Sequence, residues 1–314
     1  MSTLLEEIDP LCPTGYRFDK EKCDCVKDDR PDEIEPQCPP DYIFNLSSCQ
    51  CEKKPTPIDI EFRFNEGSDF RDTPESGDNL VSDKPALILM NGDYGIKTNT
   101  PEEWCNEVMK MVKDSGIPVW GTVGNHDGET EYLRTGFFKN TSWSWILKKS
   151  FIAFVAADTE AENVAETEAL IKDAQNDPNI DKIIVLMHES VFHPEKETSV
   201  TSDTTLEFHT MYMKYPKVRL VLAGHTHVFG MSIPIDNILY VMCGIGGQSP
   251  STGPTTPAPF HKINGVLHFT VFTDKSIKCD CVPNAGDAPG IMWTFYIGPK
   301  GELPTNGIKF IRRD

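Results

Sequence analysis

The chain has 314 residues, 39% apolar and 25% charged, enough to bury a sizeable core and unlike the composition of a disordered polymer. Its 48 acidic against 30 basic side chains give a formal charge of −18, which argues against a nucleic-acid backbone or an anionic membrane surface as partner. A small anionic substrate is not excluded, because a bound dication supplies local positive charge that outweighs distant, screened carboxylates.

Six of the ten cysteines fall in the first 51 residues. Cys12, Pro13, Tyr16, Phe18, Cys23 and Cys25 recur 26 residues later as Cys38, Pro39, Tyr42, Phe44, Cys49 and Cys51, the sign of a duplicated module. Modules this small need staples, and paired cysteines in an oxidising compartment are the usual ones. Residues 1–57 are therefore expected to be disulfide-bonded tandem repeats of a secreted or cell-surface protein, available for envelope or self-assembly contacts. A zinc site on Cys23-x-Cys25 and Cys49-x-Cys51 is the alternative, although C-x-C is not the usual zinc spacing. The sequons at Asn45 and Asn140 are compatible with export. No run approaches the roughly 20 apolar residues of a membrane span, so no transmembrane segment is expected. Residues 1–7 lack the basic and apolar regions of a leader, so the leader of an exported protein would have been removed or would lie outside this sequence.

After Lys54-Pro55-Thr56-Pro57 the texture changes to apolar runs alternating with helix-like charged segments, which predicts an α/β layered domain over 58–278. Strands are predicted at 86–90, 117–123, 151–156, 182–187, 218–223 and 239–243. Helices are predicted at 101–113, 161–175 and 204–215, the first with Thr100 as N-cap and Pro101 in the first turn. The acidic run from Glu160 to Glu168 reads as a solvated helix face. Trp143 and Trp145 read as packing residues, His209, His261 and His268 as surface or core, and His193 as a loop residue. Residues 279–314 read as a C-terminal extension in which Cys279-x-Cys281 pairs within itself or with a neighbour.

The residues at the strand ends are the informative ones. Gly92-Asp93, Gly124-Asn125-His126-Asp127, His188 and Gly224-His225-Thr226-His227 each stand at a strand's carboxyl end, where open α/β sheets place their ligands. Oxygen and imidazole donors of this kind suit zinc, iron or manganese, and a carboxylate can bridge two ions.

These motifs, in this order, resemble those of the calcineurin-like metallophosphoesterases over roughly residues 60–250. Cys243-Gly244-Ile245-Gly246-Gly247 is similar to the turn of the purple-acid-phosphatase-like branch. The resemblance implies a layered sandwich of β-sheets flanked by helices, and metal-dependent hydrolysis of a phosphate ester by a metal-bound hydroxide. It implies one or two divalent or trivalent ions (Zn, Fe or Mn). Asp93 would bridge them, Asn125, His188 and His225 would complete one site, and His227 would belong to the other. His126, supported by Asp127, would sit beside the phosphate. The chain departs from the family at the first motif, where neither Asp-x-His nor Asp-x-Gly is found. Asp69 is the best-placed substitute, Asp72 the next, and Arg71 could instead supply a fixed charge there. Ile96 stands where purple acid phosphatases carry a tyrosine, and Tyr94 should point away from the site. An extracellular structural or assembly protein that keeps the fold is the alternative function. A nuclease is disfavoured by the lack of a basic face.

Overall fold

The computed structural model describes residues 58–70, 75–95, 100–127, 131–159, 163–191, 203–227, 229–244, 264–284 and 293–305, together with the backbone of five strands among the first 53 residues. The chain divides into two compact units, Met1–Ile58 and Asp59–Asp314.

In the first unit β1 (Tyr16–Asp19), β2 (Asp24–Lys27) and β3 (Arg30–Ile34) form one antiparallel sheet, and β4 (Tyr42–Asn45) and β5 (Gln50–Lys53) form another. The sequence repeat reappears as a repeated register. Tyr16 stands opposite Lys27 and Phe18 opposite Cys25, and Tyr42 and Phe44 stand opposite Lys53 and Cys51 in the same way. The cysteine pairing and the Asn45 side chain lie outside the described residues.

The second unit is a sandwich of two six-stranded sheets. Parallel strands β6 (Ile60–Gly67), β7 (Leu87–Asn91) and β8 (Val119–Thr122) build half of one sheet. The other sheet is built from β9 (Trp145–Lys149), β10 (Ile152–Ala156), β11 (Lys182–Met187), β12 (Val218–Ala223), β13 (Phe229–Met231) and β14 (Leu239–Cys243). There β10, β11, β12 and β14 run parallel, with β9 and β13 antiparallel at the edges. Strands β7, β10 and β11 are buried at every position, as expected for parallel strands covered on both faces. Between the sheets Phe64 stacks on Phe269 at 4.4 Å and meets Phe154 of the opposite sheet edge-on at 5.0 Å. Such pairs add to the burial of the shared core.

Three further strands complete the first sheet: β15 (Gly265–Phe272), β16 (Ile277–Pro283) and β17 (Trp293–Ile297), all antiparallel. This corrects the expected division after residue 278, because Lys278 lies inside β16, which pairs with both neighbours. The strand alternates buried and half-buried positions, so Cys279 and Cys281 share its buried face. Both are free thiols, as are Cys105 and Cys243, which corrects the expected pairing of Cys279-x-Cys281.

Helices cover the outer faces: α1 (Glu75–Val81) and the segment after Thr100 on one sheet, α5 (Val164–Asn176) and α6 (Asp203–Tyr212) on the other. A short α4 (Glu131–Arg134) lies between β8 and β9. Thr100 caps as predicted: its hydroxyl accepts the Glu103 N–H while the Glu103 carboxylate accepts the Thr100 N–H. The predicted single helix is nevertheless broken into α2 (Pro101–Glu103), a π-helical turn (Trp104–Val108) and α3 (Lys110–Ser115). Trp104 and Cys105 are consecutive and both buried, which the wider turn permits.

The Asn140 sequon has a structural use. Its side chain accepts the Gly121 N–H at 3.0 Å and donates to the carbonyls of Gly121 and Ser142 at 2.9 Å each, so the amide serves as a strand partner for the edge of β8. Trp145 Nε1–H reaches the same Gly121 carbonyl from β9. At 4% exposure, the Asn140 amide is not open to a glycan. No helix among the described residues is long and apolar enough to cross a membrane.

Candidate metal centre

Five parallel strands, three from one sheet and two from the other, end at one rim. Asp69 follows β6, Asp93 follows β7, Asn125 to Asp127 follow β8, His188 follows β11, and His225 and His227 follow β12. The turns are tight and strained: Asp69, Asp93, His225 and His227 all adopt positive φ, at 57°, 54°, 67° and 48°. Each such non-glycine residue costs of order 1–3 kcal/mol, and such residues cluster at functional sites. Two glycines make the close approaches possible. A Cβ on Gly124 would lie 2.4 Å from Asp93 Oδ1, and one on Gly224 would lie 1.9 Å from Ser68 Oγ.

The His188 ring is fully buried, and its Nδ1–H donates to the Asn91 carbonyl at 2.6 Å, so the lone pair on Nε2 faces the centre. There it meets Asn125 Oδ1 at 3.1 Å and Asp93 Oδ1 at 3.3 Å. Asn125 Oδ1 also lies 3.1 Å from His225 Nδ1. The Asp93 Oδ1 accepts the His126 N–H, which fixes the carboxylate in the rim.

The other half of the centre contains Asp69, Asp93 and His227, whose ligand atoms lie within 4.8 Å of one another. Asp69 Oδ2 is held by the Ser68 hydroxyl at 2.7 Å and the His225 N–H at 2.9 Å. Its other oxygen, Oδ1, lies 3.3 Å from His227 Nε2 and is buried without a hydrogen-bond donor. Asp72 and Arg71 lie outside the described residues, as do His193, His261 and Ile96.

These residues fit a cation. Imidazole and carbonyl lone pairs crowd together at about 3 Å, the spacing of adjacent ligands around an ion bonded at about 2.1 Å. A buried carboxylate oxygen lacks a donor in the same place. A proton on His188 would satisfy one of these contacts, whereas a cation satisfies the set.

The electrostatics agree. Burial pushes the Asp69 carboxyl up, but the adjoining His227 and His188 rings and the Ser68 hydroxyl outweigh it and hold the group below the usual carboxylate range. Burial lowers His188, but the charges of Asp69 and Asp93 overcome it and leave the ring raised. Burial, with the adjacent His188, lowers His225 to about 4, which keeps its lone pair free at neutral pH.

His126 and Asn125 are exposed at the rim, and Asp127 has a different task from the one the sequence suggested. Its carboxylate accepts three backbone N–H groups, from Asp93, Tyr94 and Gly124, each at 2.8 Å, and so clamps two ligand loops together. Burial pushes its carboxyl up to about 7, against the pull of these donors. Tyr94 is buried among Trp104, Tyr132 and Phe138, and its hydroxyl lies against the Met90 and Thr122 carbonyls, away from the centre, as expected. Ser68, Asn91 and Glu66, which support the ligands from beneath, were not singled out from the sequence. The available signal is Glu66, at the next position in the alternation of β6 that places Phe62 and Phe64.

No protein with a curated description matches the sequence. Among solved structures the fold is similar to a purple acid phosphatase from yellow lupin (Lupinus luteus) seeds, at TM-score 0.64 and 14% identity over 91% of this chain and 66% of that one. It is also similar to the Plasmodium protein described as GAP50, the anchor in the inner membrane complex, at TM-score 0.58 and 14% identity over 80% of this chain and 90% of that one. A dimetal phosphatase from Danio rerio matches at TM-score 0.52 and 11% identity, over 72% of this chain and 97% of that one. The family profile described as calcineurin-like phosphoesterase matches residues 66–229, more than half of the chain. The chain belongs to the calcineurin-like phosphoesterase family.

Proposed function

We propose that the second unit is a metal-dependent phosphoesterase acting on a phosphate monoester or diester. The convergence of Asn125 Oδ1 and Asp93 Oδ1 on His188 Nε2, at 3.1 and 3.3 Å, with the ring's Nδ1–H already engaged by the Asn91 carbonyl, carries this reading. Asp93, Asn125, His188 and His225 would hold one ion, and Asp69, Asp93 and His227 the other, with zinc, iron or manganese suited to the donors. When bound, such ions supply Lewis acidity toward a phosphoryl oxygen and toward water. His126, exposed at the rim with its main chain tied to Asp93, is placed to reach a phosphate or to hand a proton to the leaving oxygen. Asp127 positions both loops. The purple-acid-phosphatase-like branch offers the chemical analogy, without the tyrosine of that branch.

The test is hydrolysis of p-nitrophenyl phosphate and its bis-ester by the purified chain, with each metal and with chelator, beside His126→Ala. Turnover that needs metal and is lost in the variant supports the reading. Absence of turnover from folded, metal-loaded protein sinks it.

A second reading, a surface or assembly protein that keeps the fold, is favoured by the sparse first motif. Among the described residues Asp69 is that motif's one contribution to the centre. A neighbour in fold is described as an anchor, and the tandem hairpins of the first unit suit attachment. Replacing Asn125 separates the readings, since an enzyme loses turnover and a structural protein loses metal or stability alone. Export with disulfide-bonded repeats is proposed on the six clustered cysteines; mass analysis finding six free thiols there in secreted protein would remove it.

A further inference from the structure

Beneath the ligands lies a buried polar layer that the proposed chemistry does not use. Glu66, Ser68 and Asn91 are all fully buried. Ser68 Oγ lies 2.7 Å from Asp69 Oδ2, 2.8 Å from the Asn91 carbonyl and 3.4 Å from the Gly92 carbonyl. The Asn91 carbonyl is the acceptor that orients His188. One hydroxyl therefore touches a ligand of the His227 half and the carbonyl that fixes a ligand of the His225 half. The arrangement is tightly held, since a Cβ on Gly224 would stand 1.9 Å from this oxygen, and Asn91 Nδ2–H is anchored on Glu66 Oε1 at 2.8 Å.

We propose that Ser68 is a positioning residue that couples the two halves of the centre; the inference rests on the reading of that centre as a metal site. The hydroxyl has one proton and two strong acceptors. A charged Asp69 draws that proton, because hydrogen bonds to ions are the stronger ones. The same oxygen stands 2.8 Å from the Asn91 carbonyl that holds His188, so removing the hydroxyl frees the Asp69 carboxylate and opens a gap behind that carbonyl together. The ligand geometry of the two halves is thus tied through a single side chain.

Manganese(II) binding to the full chain, followed by calorimetry and electron paramagnetic resonance, tests this in the wild type, Ser68→Ala and Ser68→Cys. Ser232→Ala is the control, a buried hydroxyl that accepts the Tyr240 N–H. The cobalt(II) absorption spectrum supplies a readout of ligand geometry that a purely structural role would not move. Two binding steps in the wild type, both weakened ~10–100-fold in the Ser68 variants with altered cobalt bands, are expected. The control should retain both steps. If Ser68→Ala does not fold, Ser68→Cys, close in volume but a feeble donor, decides alone. Binding unchanged, or weakened at one step only, overturns the coupling, as does a wild type that takes up a single ion. A wild type that takes up none overturns the metal reading and this inference together.

Discussion

The imidazole of His188 and the carbonyl of Asn91 meet at 2.6 Å, and this contact decides which ring nitrogen faces the centre. His188→Ala removes both the lone pair and the group that Asn91 orients. It should lower affinity for the ion of the Asn125 half by at least ~100-fold, beyond what loss of a supporting partner costs. Metal content after dialysis checks this; full retention would show that His188 is not a ligand.

Gly224→Ala places a methyl group 1.9 Å from Ser68 Oγ and 2.7 Å from Asp69 Oδ2. Both are fully buried, so relief must come from movement of the first ligand loop. The expected cost is about 1–3 kcal/mol of stability together with weaker metal binding. Urea denaturation and metal titration of the same variant measure the two effects.

Asn140→Ala leaves the Gly121 N–H without its side-chain acceptor and the Gly121 and Ser142 carbonyls without the amide donor, although Trp145 Nε1–H still reaches the Gly121 carbonyl. Two or three buried hydrogen bonds go, and destabilisation of about 2–4 kcal/mol is expected. Expression in a glycosylating host should show no glycan at Asn140 in the folded wild type, by peptide mass. Full occupancy there would contradict the buried position.

His268 titrates against stability. Burial lowers its pKa, while Nε2–H donates to the Asn79 carbonyl at 3.0 Å and Ser82, Asp83 and Asp280 stand nearby. The unfolded state therefore binds its proton first as pH falls. Its contribution is complete above the unfolded value of about 6.5 and is lost as pH drops from there toward the lower folded value. His268→Gln should show a flatter decline between pH 7.5 and 5 than the wild type in urea unfolding. Parallel curves would remove the assignment.

The four thiols of the second unit are buried and free. Burial raises Cys105 to about 11 and also raises Cys243, Cys279 and Cys281. They should react with a thiol reagent only after denaturation. Rapid labelling of Cys279 in native protein would show that β16 opens.

The rim was legible because parallel strands read as apolar runs and each motif stands where such a run stops. Strands β11, β12 and β14 have the predicted bounds. The C-terminal strands were missed because antiparallel strands alternate polar and apolar residues, and Cys279-x-Cys281 drew attention to pairing instead. The broken helix after Thr100 escaped because a π-helical turn leaves the capping signal intact. Asp127 is a related case: its place beside His126 in the chain suggests a side-chain partner, whereas the turn aims its carboxylate at backbone N–H groups. Ser68 and Asn91 were invisible as supports, since their use depends on two loops meeting 23 residues apart.

The ligands come from two sheets that otherwise meet mainly through side-chain packing, with hydrogen bonds such as Trp145 Nε1–H to the Gly121 carbonyl and the Thr122 hydroxyl to the Ala157 carbonyl. An ion held between Asp93 of one sheet and His188 of the other would rivet the sandwich at one end, in addition to any catalysis. Its binding energy would then appear as resistance to unfolding, worth ~2.7 kcal/mol at a free concentration a hundred times the dissociation constant. In a metal-poor compartment the same fold would loosen at that end first, so metal supply would govern the lifetime of the protein as well as its turnover.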